Sequence, residues 1–345
     1  MDPVEIIKEK NHILPQRNNI LDATLPSEVL AQRYHEYEVQ FIIEPIIFER
    51  GNNILGAERG TGKTRLMLFI GFSIAYGLRE CLGYPINRYG NILFLNFEVP
   101  EANFKLIVEP IENYFKNILR LERKYRFDII SFKTYPSLTT GDIEIAIREK
   151  DSKIIFIDGF KAIAGKLCAE KKIREFDNSN IFFLYDLLDG WKLKYSTTNI
   201  LSNHTNKGTK GLKSPSDLLF GPSALADFAD QTTLIRKTNE PNVKLLIPDK
   251  NRFFEEGGDE SNLFTIESDH RSNPTWLKFA LLEKGVNEAD HMYKDTHSHR
   301  HLKEDIELAL KQRKEGKTYE QIAETVLGDK AKKGTIYKWL KKFPE

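Results

Sequence analysis

An apolar run, Ile54-Leu55-Gly56, enters the turn Ala57-Glu58-Arg59-Gly60-Thr61-Gly62-Lys63-Thr64-Arg65, and a helical pattern begins at Gly62-Lys63-Thr64. Residue types in this order suit a chain of phosphates. Glycines let the backbone curl so that several N–H groups aim at one anion. The helix N-terminus behind the turn adds partial positive charge. The Lys63 ammonium can reach the β- and γ-phosphates, and the Thr64 hydroxyl can ligate Mg²⁺. The general pattern starts with Gly; here Ala57 takes that place, with Gly56 just before it. Ala57 to Arg65 are thus candidate nucleotide-binding residues, with ATP and Mg²⁺ as the expected cofactors.

Three further polar positions follow apolar runs. Ile92-Leu93-Phe94-Leu95-Asn96-Phe97 ends in Glu98. A carboxylate at the C-terminal end of a parallel strand faces the ligand crevice and can act as general base toward water. The competing reading is an acid at the start of a helix, because Pro100-Glu101 follows. Lys153-Ile154-Ile155-Phe156-Ile157-Asp158 has the form of four apolar residues and then Asp. It delivers Asp158 beside the Mg²⁺ held by Thr64, unless Asp158 is only a turn residue before Gly159. Asn199-Ile200-Leu201-Ser202-Asn203 leads into His204-Thr205-Asn206-Lys207-Gly208. His204 can sense the γ-phosphate. The basic loop beyond it, with Lys207 and Lys210, suits contact with single-stranded DNA or is an ordinary solvated loop. Lys250 and Arg252, in Pro248-Asp249-Lys250-Asn251-Arg252, share one side of a strand. They suit transition-state cations offered to a neighbouring subunit's nucleotide, or a surface ion-pair couple.

These residues need a scaffold that gathers strand ends. Short apolar runs alternate with helical patterns from about residue 41 to 284, including helices near Lys63–Gly77, Pro100–Leu119, Asp142–Lys150 and Asn180–Lys194. The pattern predicts an α/β fold with a mostly parallel sheet covered by helices on both faces, and an antiparallel extension at one edge. Residues 1–40, broken by Pro3, Pro15 and Pro26, read as an N-terminal arm. Residues 285–300 read as a linker, and its histidines with His301 lack the frame a metal site needs. Trp191 lies on an apolar helical stretch and reads as core.

Composition limits the partners. Lys plus Arg is 51 and Asp plus Glu is 50, a formal charge of +1 that excludes a protein coating polyanions along its whole surface. Hydrophobic residues at 40% suffice for a sizeable core, and charged residues at 29% fit a soluble chain. Cys81 and Cys168 are too few for a disulfide scaffold and read as buried thiols. The acidic start Met1-Asp2-Pro3-Val4-Glu5 lacks a signal-peptide pattern, and the expected location is cytoplasmic with no membrane contact.

Residues 301–345 carry 11 Lys/Arg against 8 Asp/Glu, whereas residues 1–300 carry 40 against 42. The basic tail reads as three helices, Leu302–Lys314, Tyr319–Val326 and Thr335–Lys342. Ile306, Leu310, Ile322, Ala323, Val326, Ile336, Trp339 and Leu340 would share its core. Its last two helices resemble the helix-turn-helix of resolvase-type DNA-binding domains, with about three extra residues in the turn. Lys332, Lys333, Thr335, Tyr337, Lys338 and Lys341 are then the candidates for duplex DNA contact. A three-helix protein-interaction module is the alternative.

Taken together, Gly56–Thr64, Leu95–Pro100, Ile154–Asp158, Asn203–Gly208, Gly221–Asp227 and Lys250-Asn251-Arg252 resemble, in order, the motifs of the RepA-like, DnaB-related hexameric helicase class of RecA-like ATPases. Their number and order match over about residues 40–255. The resemblance implies a hexameric ring, with ATP between subunits and single-stranded DNA in the channel. It implies that Lys63 and Thr64 hold phosphate and Mg²⁺, that Asp158 is the second metal residue and Glu98 the base, and that His204 is the sensor. Lys250 and Arg252 would act in trans. The family's sensor strand often ends in two histidines, where this chain has Asn203 and a single His204. A non-translocating DNA-binding regulatory ATPase and a small-molecule kinase are the other readings.

Overall fold

The computed structural model describes residues 40–58, 60–173, 181–205, 227–238, 240, 242–251, 261–270, 274–291, 300–327 and 333–342. Thirteen strands are seen among them. They are β1 Phe41–Ile43, β2 Ile47–Phe48, β3 Asn52–Ala57, β4 Glu80–Cys81, β5 Tyr84–Pro85, β6 Asn91–Asn96, β7 Phe127–Ser131, β8 Ser152–Asp158, β9 Thr198–His204, β10 Gln231–Lys237, β11 Val243–Asn251, β12 Ser261–Ser268 and β13 Leu277–Val286. Nine of them form one sheet in the order β13-β12-β11-β10-β3-β9-β8-β6-β7. From β10 to β7 all neighbours are parallel, and from β10 out to β13 all are antiparallel. The expected mostly parallel sheet with an antiparallel extension is therefore present.

The strand residues alternate between two cores, as the period of two requires. Leu55, Phe94 and Phe156 face one side, under α1 Lys63–Ala75 and α2 Glu101–Asn113. Ile54, Leu93 and Ile155 face the other, under α3 Thr140–Lys150, α4 Phe160–Lys171 and α5 Ile181–Tyr195. Burial on both faces explains why these strands read as unbroken apolar runs. Trp191 is 1% exposed in the second core, and both cysteines are buried.

Helix α1 is buried nearly all round, in keeping with its run Leu66-Met67-Leu68-Phe69-Ile70. Helix α3 has a local start signal, a capping box in which Thr139 and Asp142 satisfy each other's backbone. Helix α4 falls outside the helical patterns of the sequence. It starts after Gly159 with no side-chain cap and no acid in its first turn, so it lacks the usual sequence marks of a helix start.

The sheet reaches Val286, two residues past the expected limit of 284. A short helix, α6 Glu288–His291, lies within the expected linker. The tail folds as α7 Arg300–Lys314, α8 Tyr319–Leu327 and α9 Lys333–Lys342. Ala309, Ile322, Ala323 and Ile336 pack together there, with Val326, Trp339 and Leu340 against them. Among the described residues no helix is long and apolar enough to cross a membrane. Residues 1–39 of the expected arm, residues 1–40, lie outside the described residues.

Candidate active site at the ends of the parallel strands

All six residues of β3 are buried, and the strand is held between β9 and β10. Its last residue, Ala57, accepts a bond from Thr205 N at 3.0 Å, which ties the start of the loop to the end of the sensor strand. Thr61 Oγ1 donates to Glu58 O at 2.8 Å and closes the turn. Glu58 also meets Lys237 Nζ of β10 at 3.8 Å. Arg59 lies outside the described residues. Gly62 is the N-cap of α1 with φ +88°, a left-handed conformation that a side chain would strain. No side chain caps α1, and its first turn holds no acid. Its first N–H groups therefore remain as donors beside the loop, which is the donor set a phosphate needs.

Lys63 is 6% exposed. Its Nζ donates to Asn203 O at 2.9 Å and contacts His204 Nδ1 at 3.2 Å. An ammonium only donates, so Nδ1 accepts and the ring proton sits on Nε2. That nitrogen lies 3.8 Å from Glu98 Oε1. Burial pushes the Lys63 pKa down, while the charges of Asp158 and Glu98 oppose the shift.

Asp158 is fully buried. Its Oδ2 accepts from Thr64 Oγ1 at 2.6 Å and its Oδ1 from Ser202 Oγ at 2.8 Å. Ser202 Oγ in turn accepts from Gly159 N at 2.9 Å. Burial raises the Asp158 pKa; the Thr64 bond counters this and the Glu98 charge adds to it. A hydroxyl and a carboxylate in contact, in a pocket that disfavours the bare carboxylate, fit a hard divalent cation. Thr64 and Asp158 are the residues that would hold Mg²⁺.

Glu98 follows β6 on the turn into α2. Gly159, at φ +116°, makes room for it: a Cβ there would lie 3.2 Å from Glu98 Cγ and 3.2 Å from Phe97 Cβ. Five predicted residues thus converge: Lys63, Thr64, Glu98, Asp158 and His204. Sequence reasoning missed Ser202, Asn203 and Asn96. The available signal was alternation, since Ser202 lies two positions before His204 on the same face of β9.

Lys250 lies elsewhere. In register it pairs with Thr232 of β10, which pairs with Ile54 of β3, whereas the loop leaves the sheet after Ala57, level with Ile235. Three positions at about 3.3 Å each separate the two levels along the sheet, and the loop continues away from Lys250. Lys250 is thus placed away from its own phosphate loop. Arg252, Lys207, Lys210 and residues 221–226 lie outside the described residues.

In the tail, Lys333 Nζ pairs with Glu320 Oε1 at 2.7 Å. Tyr337 is 50% exposed and meets Tyr319 edge to face, while the Arg313 guanidinium stacks 4.5 Å from the Tyr319 ring. Thr335, Lys338 and Lys341 are placed on α9, with their side chains outside the described residues; Lys332 lies outside them altogether.

No curated protein matches the chain. Among solved structures it is similar to a KaiC-like protein from the hyperthermophilic archaeon Pyrococcus horikoshii, at 17% identity and a TM-score of 0.43, covering 69% of this chain and 93% of that one. The family model for the AAA domain matches residues 27–210, just over half of the chain and the part that holds the phosphate loop, Glu98, Asp158 and His204. The chain therefore belongs to the AAA domain family and is a P-loop ATPase.

Proposed function

We propose that this chain is an ATP-hydrolysing, DNA-binding motor: a RepA-like replicative helicase of a plasmid, phage or mobile element, working as a homo-oligomeric, hexameric ring. The observation that carries the reading is the separation between the phosphate loop and the Lys250 end of β11. Lys250 lies level with Ile54, three residues back along the sheet from Ala57, where the phosphate loop leaves it. One subunit could then complete its neighbour's site with Lys250 and Arg252, as a ring requires.

In this mechanism the loop N–H groups and Lys63 bind the triphosphate. Thr64 and Asp158 would hold Mg²⁺, which would screen the phosphate charge. Glu98 accepts a proton from the attacking water as its oxygen bonds to the γ-phosphorus and the bond to the β-phosphate oxygen breaks. His204 lies between Lys63 and Glu98, within reach of both. Loss of the γ-phosphate would alter that contact, and β9 would pass the change to the loop bearing Lys207 and Lys210, the proposed contacts for single-stranded DNA. The basic tail, with Lys332, Lys333, Thr335, Tyr337, Lys338 and Lys341, would bind duplex DNA and bring the ring to its site.

The test is native mass together with ATPase rate, with and without single-stranded DNA. A six-subunit particle with ATP and Mg²⁺, and hydrolysis stimulated by DNA, supports the reading. A particle that stays monomeric, with hydrolysis indifferent to DNA, overturns it in favour of a non-translocating regulatory ATPase.

A further inference from the structure

Asn96, the last residue of β6, is fully buried and pairs in register with Asp158 on β8. It lies two residues before Glu98, and its amide makes four hydrogen bonds around the Glu98 turn. Its Oδ1 accepts from Glu98 N at 3.2 Å and Val99 N at 3.0 Å. Its Nδ2 donates to Val99 O at 2.6 Å and Ser131 Oγ at 3.2 Å. The chemistry fixes the orientation of the amide. A flipped amide would set its NH₂ against two backbone N–H donors.

The main chain reinforces this clamp. Phe97 N donates to Asp158 O at 3.1 Å and Phe132 N donates to Asn96 O at 2.9 Å. The Glu98 turn is thus tied to β8 on one side and β7 on the other. The carboxylate itself stands 3.8 Å from His204 Nε2, beyond hydrogen-bond length. The position of Glu98 is therefore set by its backbone, and the backbone is set by Asn96.

We propose that Asn96 is a positioning residue for hydrolysis: it aims Glu98 at the attacking water without adding charge beside Asp158. The inference rests on the reading of Glu98 as the general base. Charge is the reason for an amide here. An aspartate could accept the same two N–H bonds, but it would lose both donated bonds and place a third carboxylate next to Asp158 and Glu98. That extra charge would repel both carboxylates at close range.

The experiment measures steady-state and single-turnover hydrolysis, and binding of a fluorescent ATP analogue, in the full chain. For Asn96→Ala, kcat is expected to fall about 10- to 100-fold through misplacement of the base, with KM and analogue binding within about 2-fold. Added to Glu98→Gln, Asn96→Ala is expected to cause no further loss of the residual single-turnover rate, because it acts only through Glu98. Asn96→Asp, which keeps both accepted bonds but loses both donated ones and adds a charge, is expected to recover little of the Asn96→Ala loss in kcat. Ser131→Ala, which removes one partner of the clamp, is expected to give a smaller loss that Glu98→Gln also absorbs. It carries the test with Asn96→Asp if Asn96→Ala does not fold.

Losses that multiply in the double variants, with Glu98→Gln itself inactive, overturn the role of Asn96 and leave the base in place. Near-native kcat in Asn96→Asp counts against the charge argument in the same way. Full hydrolysis by Glu98→Gln overturns both the base and the inference.

Discussion

Polar side chains are buried at both ends of β3, and the two sets are finished to different degrees. At the N-terminal end, Asn52 N donates to Asp230 Oδ2 at 2.8 Å and Asn52 Nδ2 to Asp189 Oδ1 at 2.9 Å. Asn199 Nδ2 donates to Asn52 Oδ1 at 2.9 Å and to Leu188 O at 3.1 Å. Lys192 stands 2.7 Å from Asp189 and 3.4 Å from Asp230, so positive and negative groups alternate. At the C-terminal end, α1 starts without a side-chain cap, Lys63 rests on a carbonyl and an imidazole, and the Asp158 carboxylate accepts from two hydroxyls. The first end is closed on itself and stabilises the fold. The second holds its donors and its carboxylate ready for a charged ligand, and burial shifts Lys63 and Asp158 away from their charged forms.

The contrast can be broken from either side. The largest effect is expected at the ligand end. Lys63→Ala should lower hydrolysis by on the order of 10²–10³-fold, the scale of losing one preorganised cationic donor. Its unfolding free energy should hold or rise, because a buried ammonium is removed. Urea unfolding beside ATPase assays reads both. Asp230→Ala should do the reverse, costing roughly 3 kcal/mol of stability as Asn52 N and Lys192 lose a buried partner. Hydrolysis per folded molecule should remain. If Asp230→Ala abolished hydrolysis while the chain stayed folded, the division between the two ends would not hold.

The smallest effect sharpens the contrast with an exposed site. Asp269 accepts from Thr275 Oγ1 and from the N–H groups of His270, Thr275 and Trp276, and these bonds hold its pKa down at about 2. A depressed carboxylate contributes its stability above the unfolded value of about 3.9 and loses it as pH falls through about 2. Asp269→Asn should therefore lose less of its urea midpoint between neutral and acidic pH than the native chain does. Identical acid sensitivity would remove the role of these bonds.

What could be read from the sequence divides along the same physical line. The phosphate loop, Glu98 and Asp158 are legible because each closes an apolar run, and the relation is local. Ser202 and Asn96 are not, because their partners come from other strands and depend on register. Ser202 matters only because β9 lies beside β8, and Asn96 because β7 ends level with β6. Helix α4 is not legible because Gly159 starts it where a cap residue would have marked it, and a side chain at Gly159 would crowd Glu98. The level of Lys250, three residues back from the loop, follows from the register of β11 on β10, which the residue pattern does not state.

The pairing of β10 with β11 is interrupted once. Thr233 faces Pro248 and Thr232 faces Lys250, so Asp249 is the extra residue of a bulge. A uniform ladder can slide by two residues and still present the same faces. A bulge beside a proline gives that motion a mechanical stop, because the extra residue fits only where the missing N–H of Pro248 is tolerated. The antiparallel extension is thereby pinned to β10, and through β10 to the strand that carries the phosphate loop. Lys244, opposite Lys237, and Lys250, opposite Thr232, are kept at a fixed spacing along one rigid ribbon. Insertions should then be tolerated in the turns that join these strands and selected against between Lys244 and Lys250.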